Sequence, residues 1–157
     1  MVTDDRVIGY GRGRFLELRV FGLPAPQGSK RHVGGGRMIE ASKKVAPWRE
    51  AVVSEAIRAG LADTRLDTPC RISITFYMPR PAGHSGTHGL KRSAPVWPHR
   101  TPDLDKLMRS TFDALTQAAV WTDDARVVVA TALKTYADHT GPGALITITE
   151  MTGDRND

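Results

Sequence analysis

Two pairs of aspartates set the chemistry that this sequence can do: Asp103 with Asp105, and Asp123 with Asp124. Carboxylates are hard oxygen donors, suited to magnesium or manganese rather than to a soft metal. Two carboxylates about 4 Å apart repel by roughly 4 kcal/mol at an effective dielectric near 20, so a convergent trio stays ionised only with a cation between them. A divalent ion held that way would bind a scissile phosphate, polarise it and lower the pKa of a bound water, which is the pattern of in-line phosphodiester hydrolysis.

The elements around these acids decide whether they converge. Residues two apart on a regular helix point to nearly opposite sides, because each residue advances by about 100°. Asp103 must therefore precede the regular helix if it is to act with Asp105. Pro102 biases Thr101 toward extended backbone, which makes Asp103 a natural N-cap and sets Asp105 in the first turn. Leu104, Leu107, Met108, Phe112 and Leu115 then follow a helical stripe, predicting an amphipathic helix over residues 103–117. An acidic turn over 122–124 leads into a strand over 126–136. If the helix packs against that strand, the short return through Trp121 brings Asp124 back toward the first pair. Local alternatives stay open on spacing alone. Asp103 as a mere cap, four-apart ion pairs among Asp105, Arg109 and Asp113, and a simple turn at Asp123 and Asp124 are each adequate.

The remainder of the 157 residues supplies a scaffold of ordinary globular composition, with 40% hydrophobic and 25% charged residues, enough for one compact domain. Residues 15–21 alternate as a half-buried strand, and so do residues 72–78, with Ile72, Ile74, Phe76 and Met78 inward. Pro47 opens a helix whose stripe is Trp48, Ala51, Val52, Ala56 and Ala59, stopped at Gly60. A last strand covers 144–149. The expected fold is therefore α+β, a small mixed or antiparallel sheet of about four strands with two main helices. Residues 1–14 form a flexible arm, 15–151 the domain and 152–157 a fraying tail.

Two segments read as loops. Residues 27–44 carry Lys30, Arg31, Arg37, Lys43 and Lys44 with four glycines and one acid, a basic loop suited to tracking phosphates. Residues 79–100 hold four prolines, three glycines and three histidines, and a loop this long is functional or disordered. His84 and His88 have neither a helix to align their rings nor a third ligand nearby, so a zinc site is not expected there. Cys70, the single cysteine, reads as a buried thiol. The formal net charge of +5 favours a polyanionic partner. No apolar run is long enough to cross a bilayer and no signal peptide is evident, so the expected location is the cytoplasm with no membrane contact.

The ordered run Pro102, Asp103, Leu104, Asp105, Lys106, Leu107 and Arg109, then Asp113, Ala114 and Leu115, then Trp121, Asp123, Asp124 and Val127, then Lys134, resembles the RusA family of Holliday junction resolvases, in its phage and prophage forms. Residues 22–31 also resemble the family's passage from its first strand into a proline- and lysine-containing loop. The resemblance implies a homodimer that cuts four-way DNA junctions with magnesium, manganese being a substitute, and without a nucleotide cofactor. It implies that Asp103, Asp105 and Asp124 are the metal-binding, catalytic acids, with Asp123 a neighbouring acid. Arg109 stands where the best-known members carry a functional lysine. Arginine keeps the charge but does not donate a proton at neutral pH, so its expected catalytic task is to stabilise phosphate charge. Lys30, Arg31, Lys106, Arg109 and Lys134 are the candidate backbone contacts to DNA.

Two other classes compete with this reading. One is a basic DNA-binding module of the same fold whose acids are structural. The other is a sugar transferase or phosphatase with an Asp-x-Asp pair. Those enzymes place the pair after an apolar strand, whereas here it follows His99, Arg100, Thr101 and Pro102.

Overall fold

The computed structural model describes residues 13–28, 30–32, 38–40 and 43–153, with side chains for 13–28 and 43–153. Its main sheet is built from β1 (Phe15–Phe21), β4 (Cys70–Met78), β7 (Val127–Tyr136) and β8 (Gly143–Glu150), in the order β1-β8-β4-β7. Contacts along β1-β8 and β8-β4 are antiparallel, and β4-β7 is parallel. A parallel pair needs a crossover, and α2 (Leu104–Gln117) supplies it. The expected α+β class with a mixed four-stranded sheet and two helices is what the chain forms.

Strict alternation builds the core. In β4 the residues Cys70, Ile72, Ile74, Phe76 and Met78 are buried while the residues between them are half-buried, so one face of the sheet takes the helices. α1 (Val45–Arg58) lays Trp48, Val52 and Ala56 on that face, and α2 adds Leu107, Ala114 and Leu115. Cys70 lies fully buried, and that burial pushes its thiol pKa up. The two helices are tied to each other by Trp48, whose indole Nε1 donates to Thr111 Oγ1 at 3.1 Å. α1 begins two residues before Pro47, which falls in the first turn, where a missing N–H leaves nothing unsatisfied.

The segment expected to be a basic loop contains a short antiparallel hairpin, β2 (Lys30–His32) against β3 (Met38–Glu40). Residues 33–37 between them lie outside the described residues. The long proline-rich connection carries a 3-10 turn at Ala82–His84 and a two-residue pairing of β5 (Ser85–Gly86) with β6 (Gly89–Leu90). One clamp holds it. Arg80 donates to both carboxylate oxygens of Asp138 at 2.7 and 2.8 Å and to the Pro95 carbonyl at 2.8 Å, with its guanidinium 3.8 Å from the centre of the Tyr136 ring.

At the other end of the sheet, Glu150 closes the domain. Its carboxylate accepts from the Thr68 hydroxyl and from the backbone and side chain of Arg14, and these partners lower its pKa from the usual 4.5 to about 2. Arg14 is thereby joined to the last strand, and Glu150 N donates to Arg14 O at 2.8 Å. Residues 1–12 and 154–157 lie outside the described residues. Because the folded-state pKa is depressed, this contribution to stability is complete above pH 4.5 and is lost as pH falls toward 2. Glu150→Gln is expected to cost about 1–2 kcal/mol at neutral pH once solvent screening is allowed for. Denaturant melts between pH 7 and 2.5 should show a shallower acid loss for the variant than for the parent.

Candidate functional site

Asp103 is the N-cap residue of α2, with extended backbone at φ −69° and ψ 138°, and Asp105 sits in the first turn. That is the placement expected from Pro102, although the Thr101–Pro102 peptide is cis. The Asp103 side chain does not cap the helix. It turns instead to Lys106, with Nζ 2.9 Å from Oδ2. This hydrogen bond, and then the charges of Asp103 and Asp105, raise the Lys106 pKa, so the ammonium stays charged throughout the neutral range. Lys106 therefore meets an acid of the same helix turn.

Asp123 and Asp124 are presented by a separate device. Helix α2 ends at Gln117, Ala119 takes a left-handed backbone at φ 52°, and the chain turns back along its own helix. Trp121 fixes that return. It is 1% exposed, its indole donates to Thr116 Oγ1 at 2.7 Å, and its ring meets Phe112 edge-on at 5.5 Å between centroids. Asp123 then caps a 3-10 turn, Asp124–Arg126, by accepting from Ala125 N at 2.7 Å. That turn packs against α2. Asp67 pins it from the approach to β4, bonding Arg126 at 2.8–2.9 Å and the Thr122 hydroxyl at 2.8 Å. Sequence reading missed this support, which depends on contacts 55 and 59 residues apart.

The structure thus attaches both exposed acid-bearing segments to one helix, Asp103 and Asp105 at its start and Asp123 and Asp124 on the turn after Trp121, which itself packs on Phe112 and Thr116. It does not gather them into a closed cage: among the described residues, no group of three or more His, Cys, Asp or Glu side chains is placed to hold a metal ion. Among the described residues the carboxylates of Asp105 and Asp124 accept no hydrogen bond, which leaves those oxygens unengaged. The four-apart ion pairs of Asp105 and Asp113 with Arg109 do not form, and Arg109 projects from the exposed side of α2 without an ion pair among the described residues. The donor set fits magnesium, which characteristically takes one or two carboxylates, keeps waters and completes its shell with substrate phosphates.

The basic candidates divide into three groups. Lys134 is engaged: its ammonium donates at 2.9 Å to the carbonyls of both Arg100 and Pro102, fastening β7 to the segment that enters α2. Its first task is thus to hold the backbone just before Asp103. Lys30 and Arg31 lie in β2, and their side chains are outside the described residues. Their strand starts near the beginning of α2, because Gln27 N donates to Lys106 O at 2.9 Å and three residues of chain span at most about 11 Å. Lys106 and Arg109 complete the set on α2.

Comparison with known proteins places the chain in a family. Residues 22–149 match the family model described as Endodeoxyribonuclease RusA. The chain is 32% identical over 130 residues to the crossover junction endodeoxyribonuclease RusA of Enterobacteria phage 82, covering 82% of this chain and 92% of that protein. The identity and coverage are the same with the crossover junction endodeoxyribonucleases RusA of Escherichia coli strain K12 and Shigella sonnei strain Ss046. The matched span runs from the end of β1 almost to the end of β8 and takes in both acid-bearing segments, and the chain belongs to the RusA endodeoxyribonuclease family.

Proposed function

We propose that this protein is a structure-selective endodeoxyribonuclease that resolves four-way DNA junctions by magnesium-dependent, paired phosphodiester hydrolysis, acting as a homodimer. The observation that carries the reading is the exposed placement of Asp103 and Asp105 at the start of α2 and of Asp124 on a turn that packs against the same helix, in a chain of the RusA family. Bound magnesium would supply Lewis-acid polarisation of the phosphate and a nucleophilic water at neutral pH.

The chain's own residues supply the rest. Asp105 and Asp124 offer unengaged carboxylate oxygens, while Asp103 joins them by leaving Lys106. Lys106, held cationic by its two acidic neighbours, screens their repulsion before substrate arrives and can then turn to a phosphate. Arg109, one helical turn beyond Asp105, has the planar fork that grips a phosphate bidentately and stabilises charge as it builds in the transition state. Lys134 fixes the backbone that presents Asp103. Backbone contacts of this kind give affinity that falls with salt and carry no base readout. In a twofold dimer, two such sites face opposed strands of one junction, which yields paired nicks.

The absence of a three-ligand group among the described residues favours a second reading, a DNA-binding module without catalysis. Magnesium titration with mobile four-way, flap and linear duplex substrates separates the two. The nuclease gives paired nicks on the four-way substrate that rise with magnesium and vanish with chelator. The module gives retention of the junction and no magnesium-dependent product.

A further inference from the structure

The proline-rich connection and the segment after β1 enclose a cavity of about 490 Å³ that reaches the chain just before Asp103, and the reading above gives its interior no role. That volume falls within the range of roughly 300–1,000 Å³ typical of small-ligand pockets. Its wall ends at Pro102, the residue before Asp103, and includes Lys134, whose ammonium holds Pro102 O. We propose that this cavity takes an unstacked DNA base from the branch point, next to the phosphodiester that the acids address. The proposal rests on the functional reading above and adds to it a second binding subsite.

Three features point to this occupant. Seven prolines, Met78 and Tyr136 line the cavity, so its walls are rigid, flat and apolar, matched to the faces of a heterocycle. Among the described residues no Asp or Glu lines it, while Lys44, Arg100 and Lys134 do, so an apolar ring attached to a phosphate is favoured over a cation or a peptide. The walls are also fastened before any ligand arrives. The Arg80 clamp joins Asp138, Pro95 and the Tyr136 ring, and His84 packs edge-on against the same ring at 5.8 Å between centroids. His84 Nδ1 is buried without a hydrogen-bond partner among the described residues. A base at a branch point borders a break in the continuous helix, so moving it into a pocket disturbs fewer neighbouring stacks than in an unbroken duplex. Stacking against apolar and aromatic walls offsets that cost.

The test places 2-aminopurine singly at each of the three nucleotides on either side of the branch point of a four-way junction. Emission is read in calcium, with saturating full-length protein. With the parent protein, one position is expected to brighten by at least about threefold as its base leaves the stack. Leu23→Trp, which adds bulk from one wall, and Pro81→Trp, which adds it from the other segment, should bind the junction and leave that position dark. Both residues are exposed enough to accept a larger side chain. The proposal is overturned if no position brightens with the parent, or if the brightening survives in both variants. Nicking of the unmodified junction in magnesium is scored separately. Nicking without brightening removes the pocket and keeps the nuclease, whereas brightening without nicking keeps the pocket and removes the nuclease.

Discussion

Asp124→Asn is expected to lower magnesium-dependent nicking of a four-way junction by roughly 10²–10³-fold, the size of effect seen when one preorganised group that stabilises transition-state charge is removed. Asparagine keeps the shape and the acceptor oxygen but removes the negative charge that would hold a divalent ion. The Asp124 carboxylate accepts no hydrogen bond among the described residues, so its replacement leaves no buried group without a partner and the fold should persist. Its neighbour provides the control. Asp123 caps the 3-10 turn through Ala125 N, so Asp123→Asn, which keeps the acceptor, is expected to cost less activity than Asp124→Asn. Single-turnover nicking rates at fixed magnesium, with junction binding measured in calcium, separate a loss of chemistry from a loss of affinity. Equal rates for Asp124→Asn and the parent would remove Asp124 from the site.

Trp121→Ala is expected to be the most damaging single change to the scaffold. Removing a fully buried large aromatic side chain costs about 3–5 kcal/mol through lost transfer energy and the cavity left behind. The same substitution deletes the hydrogen bond to Thr116 and the contact with Phe112. In a domain of this length that loss lowers Tm by roughly 10 °C or more. Trp121 also anchors the return that presents Asp124, so nicking should fall even at temperatures where the variant is folded. Trp121→Phe keeps most of the buried area but not the indole donor, and it should recover much of the stability. A thermal melt paired with a nicking assay well below the transition reads both effects. A variant melting within a few degrees of the parent would show that the turn is held by other contacts.

How much of this was legible before the structure depends on how local each cause is. β1 has the bounds expected from its alternation, and the α2 stripe and the position of Asp103 ahead of the helix followed from Pro102 and the apolar spacing. The hairpin of β2 and β3 was missed because its residues are charged or flanked by glycine and show no period. The Lys106–Asp103 pair lies at three-residue spacing, yet the expectation favoured Arg109 and its four-apart acids, and local spacing could not choose between them. Lys134 looked like any cation on a strand. Its bonds to two carbonyls 32 and 34 residues earlier arise only when β7 pairs parallel to β4. The cavity that ends at Pro102 is less legible still, since residues 23–26 and 79–102 come together through the fold alone.

The most direct test of the central claim is manganese binding, followed by electron paramagnetic resonance, to the protein bound to an intact four-way junction. Carboxylates from the start of α2 and from the turn after Trp121 share one ion in this account. The parent complex should take up manganese, and Asp105→Asn and Asp124→Asn should each weaken that uptake while still binding the junction. Uptake that depends on Asp105 but is unchanged by Asp124→Asn would show that the two segments do not share an ion, and would contradict the account.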